Sequence, residues 1–103
     1  MKILYPAVFT YDKNDEAYPK GVYNVEFPDL TGCYTFGTTL LEAYENAEDV
    51  LNLTLYGLKR SKQELPVSSD LNDIRCTENQ FISLVKADTR LYYKKYRKHL
   101  NRR

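Results

Sequence analysis

The chain is short of the residues on which much small-protein chemistry is built. Its 103 residues hold one histidine and two cysteines. Cys33 and Cys76 make neither a disulfide framework nor a paired metal-ligand spacing. His99 stands in a cationic tail far in sequence from either cysteine, so nothing points to a Cys/His dyad. The four glycines, Gly21, Gly32, Gly37 and Gly57, are scattered turn or packing positions, and no phosphate-cradling glycine loop is present. No uncharged apolar run approaches the roughly 18–20 residues that a membrane span needs. A lone Lys2 followed by a strand-like stretch offers neither the apolar block nor the cleavage site of a signal peptide. No internal repeat or low-complexity segment is visible. These shortages lead to the expectation of a cytoplasmic protein with free thiols, without cofactor, metal or membrane contact. Cys33, at a strand start after Gly32, is expected to be a small buried hydrophobe.

What remains is enough for one domain with one core, and an apolar content of 43% excludes a wholly disordered chain. The net charge of +1 conceals a strong division along the chain. Residues 1–50 hold nine acids against three bases, residues 51–85 balance, and residues 86–103 hold eight bases against Asp88 alone. An acidic body with a basic tail fits two partners of opposite sign, or two ordinary solvated surfaces.

Alternation over residues 1–11 places Ile3, Tyr5, Ala7, Phe9 and Tyr11 on one face of a first strand. Pro6 has no amide hydrogen, so this strand is expected to be an edge or to be paired on one side only there. Residues 12–21 read as a hairpin loop. A second strand over 22–27 sets Tyr23, Val25 and Phe27 against Asn24 and Glu26. Pro28 stops it, and Asp29-Leu30-Thr31-Gly32 turns into a short third strand over 33–36. Thr39-Leu40-Leu41-Glu42 then reads as a capping box. Behind it Leu40, Ala43, Tyr44, Ala47, Val50, Leu51, Thr54, Leu55 and Leu58 fall within one arc of a helix. Glu42, Glu45, Glu48 and Asp49 lie near its positive start, and Lys59, Arg60 and Lys62 at its negative end. Leu41, Leu53 and Tyr56 lie on the polar side, as scattered exposed residues or as a contact surface. Residues 63–80 make an irregular connection, and a fourth strand over 81–85 returns to the sheet. Beyond Asp88, Tyr92, Tyr93, Tyr96 and Leu100 recur at helical steps. The expected fold is α+β: an antiparallel βββαβ sheet with one long helix on one face, a domain over 1–88, and a short basic helical tail over 89–103.

The run Phe27-Pro28-Asp29-Leu30-Thr31-Gly32-Cys33, followed by Gly37, Thr39, Glu42-Ala43 and Asn46-Ala47, resembles the HicB family of bacterial antitoxins. Tyr5-Pro6-Ala7-Val8-Phe9 and Leu65-Pro66 support the likeness, which covers residues 3–70, and 83–88 fits the family's last strand. Thr31 stands where the family usually has a second proline. The resemblance implies a partial ribonuclease-H-like fold in βββαβ order. It also implies a role, the neutralisation of a small basic HicA-type toxin that cleaves mRNA. Many family members carry a ribbon-helix-helix or helix-turn-helix segment after this domain. Residues 89–103 are too few for either, so operator recognition is not expected of this chain.

A ribonuclease-H-like fold raises the question of catalysis. Two-metal hydrolysis needs several carboxylates converging on ions about 4 Å apart, and enzymes of that fold keep one inside the first strand. Here the strand body from Ile3 to Tyr11 has none, and Asp12 comes at its end. The expectation is a non-enzymatic binding protein. Its candidate toxin-binding acids are Asp12, Asp15, Glu16, Glu26, Asp29, Glu45, Glu48 and Asp49. Self-association into a homodimer or tetramer is expected through Leu53, Tyr56, Tyr92 and Tyr96. Arg90, Lys94, Lys95, Arg97, Lys98, Arg102 and Arg103, interleaved with tyrosines, fit weak nucleic-acid contact. The same tyrosines equally fit the docking face of a short amphipathic helix. The alternative function is thus a nucleic-acid-binding transcriptional regulator acting through the tail.

Overall fold

In the computed structural model, which describes residues 2–88, four strands and one helix follow each other in the order ββ βα β without interruption by other long elements. They are β1 (Lys2–Asp12), β2 (Val22–Glu26), β3 (Tyr34–Gly37), α1 (Leu40–Arg60) and β4 (Gln80–Asp88). A 3-10 turn over Leu71–Asp73 lies in the α1–β4 connection. All pairings are antiparallel and the sheet order is β3-β2-β1-β4. The expected class and element order are thus those of the structure, with β1 and β2 joined by the expected hairpin loop. The tail helix falls outside the described residues.

The period-two pattern decides which face of the sheet is buried. Tyr5, Ala7 and Phe9 of β1, Val25 of β2, and Val85 and Ala87 of β4 join Phe27, Leu30 and Cys33 beneath Ala43, Ala47, Leu51 and Leu55 of α1. Alanines at 43 and 47 let the helix backbone approach the sheet closely, and Gly37 takes the approach furthest. A Cβ there would fall 2.3 Å from the Ala43 nitrogen and 2.6 Å from its Cα.

Pro6 shows how composition sets register. β1 is an interior strand, not an edge, yet it is paired on one side only at Pro6, opposite Leu84 of β4. Its ladder with β2 starts at Val8↔Glu26. Carried two residues further, that register would set Pro6 against Pro28, and neither has an N–H to give.

The helix start is a capping arrangement shifted by one residue. The Thr39 hydroxyl accepts the Glu42 N–H at 3.1 Å, but Glu42 Oε1 accepts from the Thr38 N–H at 2.8 Å instead of returning to Thr39. Two expectations about the helix faces are corrected. Leu40, placed in the buried arc, is 48% exposed because the first turn overhangs the corner between β1 and β4. Tyr56, placed on the polar side, is buried together with Asn52. The flank carrying Asn52 lies against the end of β4, which widens the buried face. That strand runs three residues beyond the expected end, because Val85 and Ala87 both point to the core with Lys86 outward between them.

Candidate interaction surfaces

The eight acids singled out by charge do not gather in one place. Three shape or flank the β1–β2 loop. Asp12 accepts the Asn14 N–H at 3.0 Å, and Asp15 accepts the Ala17 and Tyr18 N–H groups at 2.9 and 3.2 Å. Side-chain bonds of this kind fix a turn in place of backbone pairing, while Glu16 stays exposed. Three more are on the outer side of α1, where Glu45 and Asp49 are exposed and Glu48 is half-buried.

The remaining two meet on the sheet face that α1 leaves open. The connection after α1 turns back across that face, and Val8, Thr10, Glu26, Pro28, Asp29, Ser69, Asp73, Ile74, Arg75 and Gln80 line a cleft of about 450 Å³ between it and the strands. Glu26 is exposed there, but Asp29 is engaged. Its Oδ2 accepts the Ser69 N–H at 2.9 Å, and its Oδ1 accepts the Ser69 hydroxyl. Asp29 therefore braces the connection against the β2–β3 turn. A second brace runs from the buried Tyr5, whose hydroxyl donates to the Pro66 carbonyl. Burial raises the Tyr5 pKa above its ordinary value, and the Asp29 charge adds to the rise.

Asn52 is a residue that sequence reasoning passed over. It is 3% exposed, and a buried amide has to find partners for donor and acceptor alike. Its Oδ1 accepts the Asp88 N–H at 2.8 Å, and its Nδ2 donates to the Glu48 carbonyl at 2.7 Å and approaches the Lys86 carbonyl at 3.5 Å. One side chain thus occupies two backbone positions on the outer edge of β4, as a neighbouring strand would. The signal in the sequence was a short polar residue between Leu51 and Leu55 on the border of the apolar arc.

Further along the same edge, Phe9, Leu40, Leu41, Tyr44, Phe81 and Ser83 line an apolar trough. Phe9 stacks between Phe81 at 5.0 Å and Tyr44 at 6.3 Å, and the Tyr44 hydroxyl donates to the Leu84 carbonyl at 3.2 Å. Leu40, Leu41 and Phe81 remain substantially exposed.

Of the residues expected to self-associate, Leu53 is exposed and Tyr56 is buried. Tyr92 and Tyr96 lie outside the described residues, as do Arg90, Lys94, Lys95, Arg97, Lys98, Arg102 and Arg103. Cys33 is buried as expected and Cys76 is exposed. Burial pushes the Cys33 thiol up, partly offset by the Thr54 hydroxyl 3.4 Å from its sulfur. Among the described residues no group of three or more His, Cys, Asp or Glu side chains is placed to hold a metal ion. Nor is any described helix long and apolar enough to cross a membrane.

Comparison with known proteins places this architecture. The family described as HicB-like antitoxin of bacterial toxin–antitoxin system matches residues 5–101. A chain of a toxin–antitoxin complex from Streptococcus pneumoniae is 31% identical with a TM-score of 0.78, over 89% of this chain and 73% of that one. A chain of the HicA3 and HicB3 toxin–antitoxin complex is 23% identical with a TM-score of 0.61, over 84% of this chain and 99% of its own. The N-terminal domain of the Burkholderia pseudomallei antitoxin HicB is 17% identical with a TM-score of 0.64, over 84% and 99%. The last two share the fold. Among curated proteins, an uncharacterized 14.9 kDa protein of Haemophilus phage HP1 is 37% identical over 49 residues. That match spans 48% of this chain and 37% of the relative, little more than a third of its length.

Proposed function

The chain belongs to the HicB-like antitoxin family of bacterial toxin–antitoxin systems, and from that premise we propose that it binds and neutralises a HicA-type toxin that cleaves mRNA. The mechanism is occlusion. A ribonuclease approaches its substrate with a cationic surface, and an acidic protein surface competes for that approach while covering the catalytic group. The observation that carries this reading is the concentration of nine acids against three bases in residues 1–50, with Glu16, Glu26, Glu45 and Asp49 on the exterior. Such a role requires no reaction at this chain's own side chains, and we read it as non-enzymatic.

The outer flank of α1 is the first candidate for the contact, since Glu45, Glu48 and Asp49 lie within two turns of one rigid element. The loop over 12–16 is the second. Co-expression with the product of the neighbouring open reading frame, a HicA-type toxin on this reading, tests it directly: growth is restored by this chain, and failure of rescue with both proteins present rejects it. Changing Glu45, Glu48 and Asp49 together to lysine is expected to slow association, with the loss greatest at low salt. Unchanged association kinetics would remove α1 as the contact and leave the loop.

A further inference from the structure

The Tyr11 N–H donates to the Asn79 carbonyl at 3.0 Å, so odd-numbered residues of β1 turn their backbone groups towards β4. Through the register Phe9↔Phe81 the odd residues of β4 answer them, and its even residues face outward. Several outward groups are satisfied within the chain. The Gln80 N–H donates to Thr77 at 3.1 Å, the Leu84 carbonyl takes the Tyr44 hydroxyl, and Asn52 holds the Asp88 N–H and approaches the Lys86 carbonyl. The Gln80 carbonyl, both backbone groups of Ile82, and the Leu84 and Lys86 N–H groups have no partner among the described residues. An edge of this kind is a template for a further strand.

We propose that this edge pairs with β4 of a second copy of the chain, antiparallel, with Ile82 on the two-fold axis. In an antiparallel ladder the hydrogen-bonded residues exchange both bonds. With Ile82 opposite Ile82 of the second copy, those two residues satisfy each other. Gln80 then stands opposite Leu84 of the second copy, and the free Leu84 N–H meets the free Gln80 carbonyl on both sides of the axis. The other two groups of that pair, the Gln80 N–H and the Leu84 carbonyl, are the ones already held inside each chain. Moving the register to set Ile82 against Leu84 would aim an N–H at the carbonyl that Tyr44 occupies. A two-fold axis perpendicular to the sheet puts both helices on one side, so the exposed Leu40, Leu41 and Phe81 of the two chains border the same junction. The other edge, β3, has four residues and offers a shorter ladder. This interface is independent of the toxin reading and uses a different part of the molecule from Leu53.

The test is the mass of the full chain in solution, by sedimentation or light scattering at micromolar concentration. The parent and Leu53→Lys are expected to show the dimer mass. Ile82→Pro is expected to show half of it with an unchanged far-ultraviolet spectrum, because the N–H it removes points away from β1. Ile82→Lys gives the same result by charge repulsion across the axis, and serves as the reading variant if the proline chain unfolds. A monomeric parent, or a dimer that survives in folded Ile82→Pro and Ile82→Lys, overturns the proposal. So does a dimer lost in Leu53→Lys but kept in the Ile82 variants, or an edge whose blockage abolishes toxin binding while the mass stays monomeric.

Discussion

Tyr5 joins the core to the connection that crosses the open face. Its ring is fully buried, and its hydroxyl donates to the Pro66 carbonyl. Burial first, and then the Asp29 carboxylate, raise its pKa above 10.0. A proton held more tightly in the folded state than in the unfolded one contributes stability that is complete below the unfolded pKa. That contribution is lost as pH rises through the higher, folded value. Above about pH 10 the parent is therefore expected to lose stability faster than Tyr5→Phe, which has no proton there to release. At neutral pH the variant is expected to be about 1 kcal/mol less stable through the lost hydroxyl bond. Urea titrations at neutral and alkaline pH measure both effects, and parallel losses in the two proteins would contradict the assignment. At this scale the sequence was only partly legible. Cys33 could be placed in the core from its setting after a glycine at a strand start. Asp29 was selected for its charge, yet its partner Ser69 lies forty residues away across a segment with no periodicity to announce the contact.

At the scale of elements, the junction between β3 and α1 is the least forgiving. The Cβ of an alanine at Gly37 would overlap the Ala43 backbone, which has no flexible side-chain end to move aside. Gly37→Ala is expected to cost about 1–3 kcal/mol, as overpacked sites do. Gly57 is the contrasting case, in an exposed part of the helix interior where a Cβ meets nothing within 4 Å. Gly57→Ala is expected to stabilise by about 0.5–1 kcal/mol through helix propensity and a less flexible unfolded chain. Denaturation midpoints that shift in the same direction for both variants would refute this account. The strands and the helix could be read from their periods, because one buried face leaves a clear repeat of two or of 3.6 residues. Leu40 and Asn52 could not be placed, because their burial depends on where β1 and β4 pass beneath the helix. The full length of β4 was hidden for a similar reason: Lys86 breaks its apolar run, although an outward lysine suits an edge strand.

For the whole molecule, the separation of charge along the chain has a consequence that can be measured. Residues 86–103 carry eight bases and one acid, and phosphate contacts position a protein on DNA without reading its bases. Binding to its own promoter and to a scrambled duplex is expected to be equally weak and to fade with added salt. A preference for the promoter that persists at the higher of two salt concentrations would show that the tail reads sequence. The acidic half of the molecule was visible in composition alone, but the division of its carboxylates among a loop, a sheet face and a helix flank depended on topology. The same topology also orders assembly in time. β1 meets β2 across a short loop, but it meets β4 across nearly the whole described chain, with Lys2 opposite Asp88. Closing the longer loop costs more entropy before its contacts form, whereas the meander and α1 can draw on neighbours in sequence. The sheet is therefore expected to close from one side, with Tyr5 and Ala7 along an unfinished border until the final strand arrives.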